Sequence, residues 1–403
     1  MNILIISYYF YPNIRIASFR IDAFAKYFRQ AGHNVTVIAA GEMDETRQWN
    51  GCEVHYIKDP IISDTELQGL IINRRWPIRR ILKGVENRLL GNTALWGLKT
   101  KVIVNKLLRQ QSFDVVLSTY CPMSPHKIVL DLKEKYNFFW IADIRDEIST
   151  HPYISKRTAR RLKPFEKSVL QNADLVVSVS KPIIDDLKKI CHHDRYLVIK
   201  NGYDYAEYHG VNFQPRFTMA YIGNFSEFIT PHKWFKAFAE LIKENRIPAD
   251  SIIKIIGSLK YYEEPPELKD NVIRIPKVAH EEAIRMSTTE TDVLVMMHPS
   301  GRKGVYSGKV FDYLASNKPI LALYDPDDVV GELIAETKAG FVVDESDHEG
   351  IKKAIIKCYE IWKNQEVLSR DWNKIKQYTR RNQTQILLNY MKTVLNKHNT
   401  QNP

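Results

Sequence analysis

Cysteine is scarce in this chain of 403 residues: Cys52, Cys121, Cys191 and Cys358 stand far apart, with no C-x-x-C pair. A disulfide-stapled scaffold and a cysteine-built zinc site are therefore not expected, and a reducing compartment is the simpler setting. Glycine (17 residues) is no commoner than proline (18), and the sequence holds no tandem repeat, low-complexity tract or apolar run of membrane-spanning length. Collagen-like, disordered and membrane-spanning readings are thereby excluded. The opening Met1-Asn2-Ile3-Leu4-Ile5-Ile6-Ser7 lacks the basic segment and the apolar length of a secretory signal. A soluble, cytoplasmic protein is expected.

Nucleotide and metal fingerprints are missing too. After the first apolar run, Tyr8-Tyr9-Phe10-Tyr11-Pro12 replaces the G-x-G-x-x-G of a dinucleotide site. Gly304-Val305-Tyr306-Ser307-Gly308-Lys309-Val310 resembles a Walker loop only superficially, with the wrong glycine spacing and Val310 in the Ser/Thr place. Asp325-Pro326-Asp327-Asp328 contains a D-x-D, but it precedes a helical pattern and reads as helix capping. His192-His193 and the other histidines lack ligand spacing, so no metal is expected.

Positive charge is present and unevenly placed. The formal net charge is +11, and residues 71–110 hold ten Lys/Arg against one acid, Glu86. Arg74, Arg75, Arg79, Arg80 and Lys83 interleave there with Trp76 and aliphatic residues. That pattern suits an anionic membrane surface. An ordinary solvated helix face with snorkelling stems is the plainer reading, and nucleic acid is the competing partner. No aromatic RNA-binding motif or zinc module supports nucleic acid, which is not expected.

Apolar runs alternate with amphipathic stretches. Strands are predicted at Asn2–Ser7, Val35–Ala39, Val54–Lys58, Asp114–Ser118, Trp140–Ile144 and Leu175–Val179, with helices at Ser18–Ala31, His126–Tyr136, Thr158–Gln171 and Pro182–Ile190. The pattern restarts at Phe217–Ile222 and runs through Ile252–Ile256, Val272–Ile275, Val293–Met297, Ile320–Leu323 and Phe341–Val343. Its helices fall at His232–Asn245, Glu281–Thr288, Ser307–Ser316, Val329–Thr337 and Glu349–Lys363, and a last one at Thr384–Leu395. Continuous apolar strands, each followed by a helix, predict parallel sheets covered on both faces. The α/β expectation is two facing Rossmann-like, doubly wound domains, 1–200 and 201–379, with a helix over 380–398 returning to the first. A ligand would lie in the cleft at the C-terminal strand ends.

In order and spacing, Gly32-His33-Asn34-Val35-Thr36-Val37-Ile38, Trp140-Ile141-Ala142-Asp143-Ile144-Arg145-Asp146, Ala173-Asp174-Leu175-Val176-Val177-Ser178-Val179-Ser180 and Asn201-Gly202-Tyr203-Asp204 are informative. The strongest block is Ser307-Gly308-Lys309-Val310-Phe311-Asp312-Tyr313-Leu314-Ala315-Ser316-Asn317-Lys318-Pro319-Ile320. Over almost its whole length the chain resembles a GT-B glycosyltransferase of family 4, the retaining nucleotide-sugar transferases. It looks most like the branch that builds bacterial capsule, O-antigen or exopolysaccharide.

That resemblance implies a nucleoside diphosphate sugar as donor substrate, held on the second domain. It implies a saccharide or polyprenyl-diphosphate-linked acceptor on the first, no cofactor or metal, and work at the inner face of the plasma membrane. Tyr306, Ser307, Gly308 and Lys309 would meet the diphosphate at a helix start, with Asp312 on the ribose hydroxyls. Gly223 would admit the diphosphate, and Lys233 would hold it from the next helix. Asn224 stands where family members carry an Arg, and Gly304 where they carry the first Glu of E-x7-E, so donor-sugar contacts must differ. Arg145, Asp146 and His126 would flank the reacting sugar, and Arg15, Ser18 and Arg20 the acceptor. The other readings are a non-catalytic nucleic-acid- or membrane-binding protein on this scaffold, and a nucleotide-sugar epimerase.

Overall fold

The computed structural model describes residues 1–12, 16–60, 93–227, 229–257, 262–298 and 303–401. The chain divides into two compact units, Met1–Asn201 with Arg380–Pro403, and Gly202–Thr379. Arg15 and, in the basic segment, Arg74, Arg75, Trp76, Arg79, Arg80 and Lys83 lie outside the described residues.

The first unit is built on an eight-stranded sheet: β1 (Asn2–Ile6), β2 (Asn34–Gly41), β3 (Glu45–Trp49), β4 (Cys52–Lys58), β5 (Val115–Tyr120), β6 (Phe139–Ile144), β7 (Leu175–Ser178) and β8 (Tyr196–Val198). The order is β3-β4-β2-β1-β5-β6-β7-β8, parallel except for the β3–β4 pair. The strands are apolar on both faces. Trp140, Ala142 and Ile144 of β6 face one core, while Phe139 and Ile141 face the other. The first core is closed by α2 (Ala94–Gln110), α3 (Ser124–Lys133), α4 (Lys156–Asn172) and α5 (Lys181–Ile190). The second is closed by α1 (Ile16–Gln30) through Ile21, Phe24 and Phe28, and by the closing helix Arg380–Gln401 through Leu387, Leu388 and Met391.

The second unit has six parallel strands in the order β11-β10-β9-β12-β13-β14: β9 (Thr218–Ile222), β10 (Ile252–Ile256), β11 (Val272–Ile275), β12 (Val293–Met297), β13 (Ile320–Leu323) and β14 (Gly340–Val343). α6 (His232–Lys243) and α10 (His348–Lys363) cover one face, α8 (Gly308–Leu314), α9 (Val329–Thr337) and α11 (Trp372–Gln377) the other; α7 (His280–Thr289) connects β11 to β12. Asp347 and Asp371 start α10 and α11 by accepting the N–H groups of Gly350 (2.9 Å) and Lys374 (3.0 Å).

Several elements depart from the sequence reading, and two helices, α2 and α11, lie where no helix was expected. β3 and β4 form an antiparallel hairpin on the edge of an otherwise parallel sheet, turning at Asn50-Gly51, both at positive φ. Asn-Gly is a strong short hairpin signal that apolar periodicity does not carry. β8 is three half-buried residues, too short to show a pattern. The helix assigned to His126–Tyr136 begins two residues earlier, at Ser124, and ends at Lys133.

Candidate functional site

In both sheets the strand order reverses next to the first strand of the unit: between β1 and β5, and between β9 and β12. Open α/β sheets bind ligands outside the carboxyl ends of their strands at such switch points.

At the second switch point β9 runs into Gly223, whose φ is +136°. A Cβ there would meet the movable end of the Lys309 side chain, and the positive φ favours glycine. Gly257, at the end of β10 with φ +139°, packs in turn against the Gly223 carbonyl. The Lys309 amine donates to the Tyr221 hydroxyl at 2.8 Å and sits 4.0 Å from the centroid of that ring. The Tyr221 hydroxyl donates in turn to the Asn224 carbonyl at 3.0 Å. Its ring stacks on Phe225 with centroids 4.3 Å apart.

Lys309 keeps some accessible surface, yet its amine is surrounded by protein, and desolvation lowers its pKa to about 7. Among the described residues it meets no carboxylate. An enclosed amine of this kind needs an anion to be held charged.

Asp312 does not turn toward Lys309, although three residues separate them on α8. Its Oδ2 lies 3.1 Å from His280 Nε2. The Tyr205 hydroxyl donates to its main-chain carbonyl at 2.8 Å and lies 3.4 Å from Oδ1. His280 opens α7 and is 32 residues away in sequence, so no local pattern announces it. Gly257 was equally silent, a lone glycine after an apolar run.

The loop before α8 is pinned from below. Gly304 has φ +81° and donates its N–H to Asp328 Oδ1 at 2.8 Å. The residue in the first-Glu place is thus a backbone position that favours glycine. Asp325 accepts from the N–H of Asp327 at 2.9 Å and pairs with Lys303 at 3.1 Å. Asp328 precedes α9 without capping it. The Asp325–Asp328 run therefore fastens the 303–304 loop, which corrects the helix-capping reading. Among the described residues no group of three or more His, Cys, Asp or Glu is placed to hold a metal ion.

Ser307 stands at the N-cap of α8 with no side-chain cap bond, and Gly308 begins the helix. Tyr306 is 8% exposed and packs against Phe311, so its ring belongs to the core and does not offer a ligand platform. Lys233, on the first turn of α6, is 53% exposed and lies 3.3 Å from Glu345. Asn224 is exposed.

At the first switch point the ends of β5 and β6 carry the polar groups. Asp143 is fully buried. It accepts from Arg20 Nε and Nη2 at 3.1 and 3.0 Å on one oxygen, and from Thr119 Oγ1 at 2.8 Å on the other. Arg20 also donates to the Lys200 carbonyl at 3.0 Å, tying α1 and β6 to the end of the unit's first segment. Desolvation lowers the Arg20 pKa, partly offset by Asp143. Arg20, expected beside the acceptor, is thus a buried structural ion pair. Ser18 is also fully buried, bonded to Asp22. Burial raises the Asp22 pKa to about 7, and its Oδ1 accepts the Tyr11 N–H at 3.1 Å.

Arg145 donates Nε to the Tyr120 carbonyl at 2.8 Å and stands 3.9 Å from Asp143. Asp146 beside it is half-buried. Glu166 of α4 holds the following loop by accepting the Ser149 N–H at 3.0 Å and the Ser149 hydroxyl. His126 does not reach this group. It is fully buried in the core, Nδ1 2.7 Å from Ser118 Oγ, which itself accepts Trp140 Nε1–H at 2.8 Å. Desolvation lowers its pKa to about 4. The catalytic expectation for His126 is corrected: its apolar helix face turns it into the core.

No curated protein sequence matches the chain. Residues 17–207 match the model of Glycosyltransferase Family 4. Among solved structures, sucrose-phosphate synthase from Thermosynechococcus elongatus is 13% identical with a TM-score of 0.64, covering 99% of this chain and 98% of that one. An α,α-trehalose-phosphate synthase (UDP-forming) from Burkholderia xenovorans, in complex with glucose-6-phosphate, is 8% identical with a TM-score of 0.63, covering 97% and 100%. The catalytic domain of starch synthase IV from Arabidopsis thaliana, bound to ADP and acarbose, is 11% identical with a TM-score of 0.57, covering 98% and 99%. Residues 17–207 thus resemble Glycosyltransferase Family 4, and the chain as a whole has the GT-B fold of these neighbours.

Proposed function

We propose that the protein transfers a sugar from a nucleoside diphosphate sugar to a saccharide acceptor, retaining anomeric configuration and using no metal. The observation that carries this reading is the Lys309 amine, enclosed beside Gly223 with no carboxylate partner among the described residues. A departing diphosphate supplies the missing anion, and the glycine lets it approach the backbone closely. The UDP-forming and ADP-bound neighbours support a nucleotide donor.

In this proposal Lys309 stabilises negative charge as it develops on the leaving group, and the N–H groups at the start of α8 add to it. Lys233 joins when the diphosphate displaces Glu345. Asp312 receives the ribose hydroxyls, held in place by His280 and Tyr205. Arg145 and Asp146 serve the acceptor side. A lipid-linked acceptor, a role in surface polysaccharide synthesis and residence at the inner face of the plasma membrane extend the same proposal, drawn from the family resemblance.

Melting of the protein in the presence of UDP, GDP, TDP and ADP tests it. One nucleotide should stabilise by about 2.7 kcal/mol at 100 times its dissociation constant, and Lys309→Ala should abolish the shift while leaving the unliganded fold intact. A shift of equal size in Lys309→Ala removes the site assignment.

A further inference from the structure

α8 is seven residues long and carries both Lys309 and Asp312. A helix this short does not sustain itself, and the carbonyls of its last turn have no partners within it. Those carbonyls are taken up from far along the chain. The Tyr205 hydroxyl donates to the Asp312 carbonyl, and the Tyr208 N–H donates to that of Ala315, each at 2.8 Å. The largest share falls to Arg370, 56 residues beyond Leu314.

Arg370 is 7% exposed, and its two Nη atoms meet four main-chain carbonyls. Nη1 donates to Leu314 at 2.8 Å and to Tyr313 at 3.4 Å. Nη2 donates to Lys318 and, at 3.2 Å, to Ala339. Lys318 and Ala339 stand just before β13 and β14, so one guanidinium joins the end of α8 to the entry ends of two strands. Nε has no hydrogen-bond partner, and no carboxylate pairs with Arg370 among the described residues. Desolvation lowers its pKa to about 9. A neutral donor would be easier to bury. What the planar, charged fork adds is stronger bonds held in one geometry. The turn it grips is latched a second time: the Tyr313 hydroxyl accepts the Ile222 N–H at 3.1 Å, and Ile222 is the residue before Gly223.

On the nucleotide-donor reading, which this presupposes, we propose that Arg370 is a positioning residue for the donor site. It fixes the end of α8 against β13 and β14, and Tyr313 sets the same turn against the end of β9. The Lys309 amine at the other end of the helix is thereby held enclosed beside Gly223 before a ligand arrives, so that binding requires no rearrangement of the cation. Arg370 acts through the helix and not by contact. With the anchor lost, α8 shifts or frays, the amine regains water, and its pKa returns toward 10.5.

The test is titration calorimetry of the full-length protein with UDP, GDP, TDP and ADP between pH 7 and 9, well below the melting temperature of each variant. Arg370→Lys keeps the charge but cannot span four carbonyls; Tyr313→Phe removes only the latch to Ile222 and guards against a variant that fails to fold. For the nucleotide that binds the wild type, the dissociation constant should rise at least about tenfold in Arg370→Lys and about fivefold in Tyr313→Phe. In both, the fall in affinity above pH 7 should flatten, a readout that mere loss of stability does not move. Wild-type affinity and pH profile in either folded variant, with binding still abolished in Lys309→Ala, overturn the proposal alone. Binding of none of the four nucleotides by the wild type overturns the donor reading and this proposal with it.

Discussion

Lys309 and His126 are both enclosed bases, and their surroundings give them opposite roles. With its pKa lowered from 10.5 to about 7, Lys309 destabilises the fold most below pH 7, and the penalty fades as pH rises toward 10.5. An anion bound beside it raises that pKa, so the complex takes up a proton. Affinity for a nucleoside diphosphate should therefore fall as pH rises above 7, by up to about tenfold per pH unit. Titration calorimetry in buffers of different ionisation enthalpy should detect the uptake, and Lys309→Ala should lose it. His126 has its hydrogen-bond partner inside the core. Its folded pKa of about 4 lies below the ordinary 6.5, so its stabilising neutral form is secure above pH 6.5 and the fold weakens as pH falls from there toward 4. His126→Ala should cost about 2–4 kcal/mol in urea unfolding. A variant that keeps its stability but loses turnover would return His126 to the catalytic group.

At the scale of elements, the proposed donor site is an agreement between two strand ends and one short helix. β9 and β10 each stop at a glycine, and the two glycines stack so that Lys309 of α8 can lie over the first. Gly257→Ala places a methyl group against the Gly223 carbonyl, which cannot yield without moving the end of β9. The expected outcome is loss of nucleotide-induced stabilisation in a thermal-shift series, larger than that of Lys233→Ala, because Lys233 is exposed and already paired with Glu345. His280→Ala should act more narrowly. It frees Asp312 without disturbing the strand ends, so the Michaelis constant for the donor should rise about tenfold, with recovery in His280→Gln if Nε2 supplies the contact.

For the whole molecule, the closing helix is what completes the first unit. Leu387, Leu388 and Met391 are buried against α1 in the core that Phe24 and Phe28 fill, although 350 residues separate the two helices. Leu387→Ala should cost about 2–5 kcal/mol, read as a lowered denaturation midpoint. A chain ending at Thr379 should fail to hold the first unit's fold, visible as lost near-ultraviolet ellipticity. Arg20 acts at the same range, joining α1, β6 and the Lys200 carbonyl. Arg20→Ala leaves Asp143 charged and buried, which should cost about 3–5 kcal/mol.

Periodicity by itself determined much of the architecture: most boundaries of the expected strands and helices fall within two residues of those observed, because burial on both sheet faces writes itself into the chain, while β3, β8, α2 and α11 left no such pattern. The Ser307–Ile320 block determined where the proposed donor site was sought. Only the tertiary structure decided which residues meet there. Lys309 and Asp312 sit three apart on one helix yet turn to Tyr221 and His280, partners 88 and 32 residues distant. Packing likewise sent His126 inward and closed the Arg20–Asp143 pair. The physical reason is that a side chain's protonation and role follow from the groups enclosing it in space, and local sequence fixes only which face of an element it occupies.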